Sequence, residues 1–238
     1  VVASDPHGML PGPLEQACQQ HQPGFVYLNP TLHNPTTITM PAHRREAIAR
    51  IAQRYQLRVV EDDPYWLLAD APPPPIATLA PEQVVYLSTL SKCLTPGLRV
   101  AYVRLPHGPQ NTGLRERFLA ALRSFALMDA PLTAALATQW IADGSAQRLM
   151  AGVRQEARLR HHMARSILAG RNSGAADGLH IWLGLPSYWS PAQLAHAAGS
   201  QGIAITPAQA FATDVAGAGV NAIRISLGSI KDRARLQA

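Results

Sequence analysis

Residues 89–99 read "TLSKCLTPGLR". They follow an apolar run, "QVVYLST" (83–89), and lead into another, "LRVAYVRL" (98–105). Two short β-rich runs joined by small residues, hydroxyls and a proline mark strand, loop, strand. The lysine in that loop is conspicuous. The chain has 21 Lys plus Arg, of which Lys92 and Lys231 are the only lysines. An amine can lose its proton and attack a carbonyl, whereas a guanidinium stays charged. Lys92 has hydroxyls beside it at Thr89 and Ser91 and a guanidinium seven residues on at Arg99. Hydroxyls and a guanidinium suit a phosphate, so the stretch suits a carbonyl compound that carries one. Lys231, in "SIKDRAR", is read as solvated.

Working outward, "FVYLNP" (25–30) reads as a buried strand entering an Asn- and Pro-rich loop. "PAHRREAIARIAQRYQ" then repeats apolar residues at helical spacing (Ala47, Ile48, Ile51, Ala52, Tyr55), which puts its arginines on the opposite, wet face. "LRVVE" (57–61) is the next strand, ending at "DDPY". Strand, helix, strand, loop, strand predicts an open α/β sheet, mainly parallel, whose ligands sit at the carboxyl ends of the strands. Three polar clusters follow three strands: "HNPTT" (33–37), "DDPY" (62–65) and "TLSK" (89–92). Helices are expected over 112–142, and one long amphipathic helix over 145–170. Beyond it, "LHIWLGL", "PAQLAHAAGSQG", "IAITP" and "NAIRISLGS" alternate strand, helix, strand, strand. The expected division is a partial large domain over 1–144, then an interdomain helix and a small α+β domain over 145–238.

Bulk properties narrow the partners. The chain has 238 residues, 47% hydrophobic and 15% charged, long enough for one large domain or two smaller ones. No apolar run is long enough to cross a bilayer, and "VVASDPHGML" is no signal peptide, which points to the cytoplasm and to no membrane partner. The net charge of +6 comes from scattered arginines, without the basic stripe of a nucleic-acid binder. Cys18 and Cys93 form neither a disulfide framework nor a metal spacing, and both are read as buried free thiols. His161 and His162 are adjacent on the long helix and share no face, so they are read as solvated, with no metal. Asp63 is read as a turn residue and Asp62 as a functional one, because its strand neighbours that of the lysine loop.

Pyridoxal 5'-phosphate is a carbonyl compound with a phosphate; it needs a lysine and an acid for its ring nitrogen. "PTLHNPTTITM" with "RR" soon after, "VVEDDPYWLL", "VVYLSTLSKCLTPGLRVAYVRLP", and finally "HIWLGLP…GIAITPAQAF…IRISLG" together resemble fold-type I aminotransferases of class I/II. Within them they resemble the aminotransferase-like domain of MocR-type regulators of the GntR family. The resemblance runs from about Gly24 to Gly228. It implies that Lys92 is the Schiff-base lysine and Asp62 the partner of the pyridine nitrogen. It assigns Tyr65 and Asn34 to the ring hydroxyl oxygen, Thr89, Ser91 and Arg99 to the phosphate, and Arg224 to a substrate α-carboxylate. Thr37 and Ala101 stand where many relatives have glycine, and the Thr-Thr version suits the regulators. The resemblance further implies a longer protein. An earlier part of the large domain and a winged-helix DNA-binding domain would precede this chain, and a final helix would follow it. It implies a homodimer, DNA bound only through that separate domain, and an amino compound or vitamer sensed by Schiff-base exchange at Lys92. An active aminotransferase, moving an amino group between an amino acid and a 2-oxo acid, is the alternative.

Overall fold

In the computed structural model, residues 1–168, 177–213, 220–229 and 231–234 are described. In chain order they form β1 (Ser4–Asp5), β2 (Gly8–Met9), α1 (Pro11–His21), β3 (Phe25–Leu28), α2 (Ala42–Tyr55), β4 (Arg58–Asp62), α3 (Ile76–Leu79), β5 (Val84–Thr89), β6 (Ala101–Arg104), α4 (Leu114–Phe125), α5 (Pro131–Ala142), α6 (Ser145–Ile167), β7 (His180–Gly184), α7 (Pro191–Ser200), β8 (Thr206–Pro207) and β9 (Ala222–Ser226). Packing divides the chain into two units, one of residues 2–31 and 39–153, the other of Val1, 32–38 and 154–238. The end of the expected 145–170 helix falls outside the described residues.

The first unit is built on a four-stranded sheet in the order β3-β4-β5-β6. β3, β4 and β5 are parallel, with Leu28 opposite Glu61 and Asp62 opposite Leu87. β6 returns antiparallel to β5, as its short connection through the lysine loop requires. Alternation along β3 and β4 sends Val26, Leu28, Val59 and Glu61 to the buried face and leaves Phe25, Tyr27, Val60 and Asp62 on the other. On the buried face, Val26, Leu28, Val59 and Val84 pack with Leu14 and Cys18 of α1, Ile48, Ile51 and Ala52 of α2, and Ile76 of α3. Each fully buried aliphatic side chain there contributes about 1.5–3 kcal/mol. α2 ends at Gln56, which takes the left-handed conformation and donates its N–H to Ala52 and Gln53. By contrast, α4 buries no residue and α5 only Ala137, leaving Phe125 and Leu132 largely exposed.

The other unit carries an antiparallel sheet in the order β7-β9-β8. Ala164 of α6, Ile181 and Leu227 form its core, with Leu168, Leu183 and Ile225 packed against them. α7 begins at a reciprocal cap in which the Ser190 hydroxyl accepts from the Gln193 N–H and the Gln193 side chain accepts from the Ser190 N–H. Among the described residues, no helix is long and apolar enough to cross a membrane.

Three side chains on the helices depart from the sequence reading. Arg44 and Arg45 of α2 do not face water: both are buried, Arg45 completely. His161 is also buried, where its surroundings hold the imidazole below the usual histidine range, chiefly through loss of solvent. Only His162 is exposed as expected. Cys18 and Cys93 are buried free thiols.

Candidate active site

The parallel strands β3, β4 and β5 release their chains at one sheet edge, and that edge collects most of the anticipated residues. Lys92 lies in the loop beyond β5 with its side chain exposed. The loop is built by its own hydroxyls. The Thr89 hydroxyl donates to the Val100 carbonyl (3.0 Å) and accepts from the Ser91 N–H (3.2 Å). Leu90 N–H donates to the Val100 carbonyl at 3.1 Å, which closes the neck of the loop. Cys93 is fully buried and turns its thiol to the Thr89 and Leu90 carbonyls, anchoring the residue next to Lys92. The Thr95 hydroxyl accepts from Gly97 N–H. Arg99 then takes a left-handed backbone (φ 53°) that reverses the chain into β6 and leaves its side chain in solvent. In this arrangement the Thr89 hydroxyl shapes the loop, while Ser91 and Arg99 lie on either side of Lys92 in sequence.

Asp62 ends β4, one strand away. Tyr27 donates its hydroxyl to one Asp62 carboxylate oxygen at 2.5 Å, and the Asn29 amide donates to the Asp62 carbonyl at 2.6 Å. Loss of solvent, reinforced by that bond, pushes the Tyr27 hydroxyl well above the ordinary tyrosine range. Tyr65 is buried in the turn after β4, its carbonyl accepting from Leu68 and Ala69 N–H.

Under this edge lies a charged layer that the sequence reading missed. Arg45 donates to the Met40 and Pro30 carbonyls, the Thr31 hydroxyl and the Pro74 carbonyl. Its guanidinium stands 3.9 Å from Glu61, also fully buried. The Glu61 carboxylate accepts from the Ile76 and Ala77 N–H groups, both at 2.8 Å, at the start of α3. Burial raises the Glu61 carboxyl, and those two bonds oppose the rise. Asp63, read from sequence as a turn residue, is also fully buried. Neither of its carboxylate oxygens makes a well-formed hydrogen bond, and burial pushes its pKa up to about 7, with the Thr31 hydroxyl acting the other way. The sequence signal for this layer was present in the paired arginines at 44–45 and the acidic run 61–63, but not the direction each side chain takes.

Asn34 and Arg224 belong to the other unit, where they meet: an Arg224 N–H donates to the Asn34 carboxamide oxygen at 2.7 Å. Arg224 lies opposite Trp182 and Thr206 in the sheet register, and its guanidinium sits 4.8 Å from the centre of the Phe211 ring. Phe211 meets Trp182 edge-on at 6.4 Å. In the Asn34 loop, Thr37 is buried with φ 61°. A left-handed β-branched residue is strained there, where a glycine would not be. The structure therefore brings Lys92, Asp62, Tyr65, Thr89, Ser91 and Arg99 into one unit and pairs Asn34 with Arg224 in the other.

The donor set suits a phosphate-bearing carbonyl cofactor: an exposed primary amine, hydroxyls and a guanidinium around it in sequence, and an oriented carboxylate on the next strand. Comparison with known proteins agrees. The model of the family described as aminotransferase class I and II matches residues 11–237. The uncharacterized HTH-type transcriptional regulator YdeF of Bacillus subtilis is 34% identical over 211 residues, covering 88% of this chain and 45% of that protein. The 2-aminoadipate transaminase of Thermus thermophilus is 29% identical over 229 residues, covering 91% of this chain and 56% of that enzyme. The chain thus spans about half the length of the curated relatives it matches. Among solved structures, LysN, the alpha-aminoadipate aminotransferase of Thermus thermophilus complexed with N-(5'-phosphopyridoxyl)-L-leucine, superposes with a TM-score of 0.86. It is 27% identical, and the match covers 99% of this chain and 61% of that one. The fold is therefore that of the fold-type I aminotransferases, and the chain belongs to the aminotransferase class I and II family.

Proposed function

We propose that this chain is the aminotransferase-like effector domain of a MocR-type, GntR-family regulator, and that it holds pyridoxal 5'-phosphate at Lys92 to sense an amino compound. One observation carries the reading. The rare lysine lies exposed in the loop beyond β5, one strand from a carboxylate whose orientation is fixed, in a chain 34% identical to an HTH-type regulator.

When bound, pyridoxal phosphate supplies an electron sink for bonds at the carbon bearing the amine. The chain's own residues do the rest. Lys92 Nζ would hold the cofactor through its carbonyl and, when free of it, would be an amine able to take up a proton. The Asp62 carboxylate would pair with the ring nitrogen and favour a proton there. Tyr65 would serve the ring hydroxyl oxygen, and Ser91 and Arg99 the phosphate, with the Thr89 hydroxyl holding their loop. Arg224, held by Asn34 and stacked on Phe211, presents a planar fork suited to a carboxylate. In the regulator, replacement of Lys92 by an effector amine would be passed on to a separate DNA-binding domain, with a homodimer as the working form.

The test is to mix the purified chain with pyridoxal phosphate, record the visible absorbance, and fix any adduct with borohydride. A covalent adduct at Lys92, absent in Lys92→Ala, is the expected result. A folded wild-type chain that forms none would overturn the reading. A second reading, a working aminotransferase, is favoured by the Arg224–Asn34 arrangement and by the likeness to 2-aminoadipate transaminase. Turnover of an amino acid with a 2-oxo acid by the loaded protein would select it over the sensor.

A further inference from the structure

We infer that Tyr27 is a positioning residue for the cofactor site, acting through Asp62. The inference rests on the reading of Lys92 and Asp62 as cofactor residues and extends it to β3, which carries none of the site residues anticipated from the sequence. In the parallel register Tyr27 pairs with Val60, so it lies on the same sheet face as Val60 and Asp62 and one step diagonal to the carboxylate. Its hydroxyl reaches one Asp62 oxygen at 2.5 Å. The next polar residue along, Asn29, holds the Asp62 backbone carbonyl. Asp62 is thereby fixed twice, its side chain from β3 and its main chain from the residue that follows β3. The bond occupies one carboxylate oxygen, and the other would be the one to take a ring nitrogen.

A carboxylate on an exposed strand end would otherwise sample several rotamers. Fixing one of them beforehand removes an ordering cost from cofactor binding. The titratable groups acting on Tyr27 are Asp62 and, more weakly, Tyr65. Tyr27 is about half exposed, so removing its hydroxyl leaves no cavity and orphans no buried group.

The experiment compares Tyr27→Phe with the wild-type chain and with Tyr102→Phe, a control at another exposed tyrosine of the same sheet. Three quantities are read: pyridoxal phosphate affinity, the pH midpoint of the bound cofactor's visible band, and the melting temperature. Tyr27→Phe is expected to keep its melting temperature and its borohydride-fixed adduct, to bind the cofactor about tenfold more weakly, and to move the midpoint. That loss corresponds to about 1.4 kcal/mol. Tyr102→Phe should match wild type. Wild-type affinity and midpoint in Tyr27→Phe, or the same change in both variants, would overturn the inference while leaving the cofactor reading intact. A wild-type chain that forms no adduct would remove both, and so separates the two failures.

Discussion

Asp62 and Asp63 are neighbours in sequence and lie in two different worlds. Asp62 sits at the open sheet edge with Lys92, Ser91 and Arg99, half-exposed and held by a tyrosine and an asparagine. Asp63 has gone under the edge, into a layer with Arg45, Glu61 and Thr31 where every member is fully buried. The two regions hold the same kinds of charge. Burial alone decides what each can do. Charges in water are free for chemistry and contribute little to stability, whereas buried charges must be matched to one another or destabilise the fold.

The largest test of that contrast is Arg45→Met. It removes a cation that four acceptors and two buried carboxylates depend on, and should cost about 3–5 kcal/mol. Denaturant unfolding measures it, and a loss under about 1 kcal/mol would mean the layer is not held by charge. Next comes pH. The folded-state pKa of Asp63 is raised to about 7 from an ordinary value of 3.8. The folded chain therefore holds this proton more tightly than the unfolded one. The associated stability is complete below the unfolded value and is lost as pH rises through about 7. The melting temperature should fall between pH 5 and pH 8, and Asp63→Asn should flatten that slope. The Asp5 carboxyl, which its hydrogen bond to Arg44 holds below the usual range, acts only in more acidic solution and leaves this window undisturbed. Smallest is Lys92→Ala, which should change stability by no more than about 0.5 kcal/mol. If it destabilised the chain as much as Arg45→Met, the lysine would belong to the fold rather than to chemistry.

Much of the first unit was legible in the sequence because its code is local. Alternation in "FVYL", "LRVVE" and "VVYLST" marked the strands, and the isolated lysine marked the loop that follows the third. What escaped was non-local. Helical spacing assigned Arg44 and Arg45 to water because it counts apolar residues along one helix. The acceptors that let Arg45 stay buried come from Pro30, Thr31, Met40 and Pro74, residues 5 to 29 positions away. His161 was misjudged for the same reason, since the burial of one position on α6 depends on what packs there. Tyr27 looked like a strand tyrosine, and only the parallel register shows that it can reach Asp62.

The two cysteines give the chain a pair of internal clocks. Cys18 sits in the α1–α2–sheet core, and Cys93 is pinned under the lysine loop by carbonyls of that loop. A thiol reagent can reach either only when its surroundings open, so each labelling rate counts the openings of one place. The ratio of the two rates separates breathing of the core from breathing of the loop. A ligand that settles on the loop alone would slow the second clock and leave the first running at its old pace.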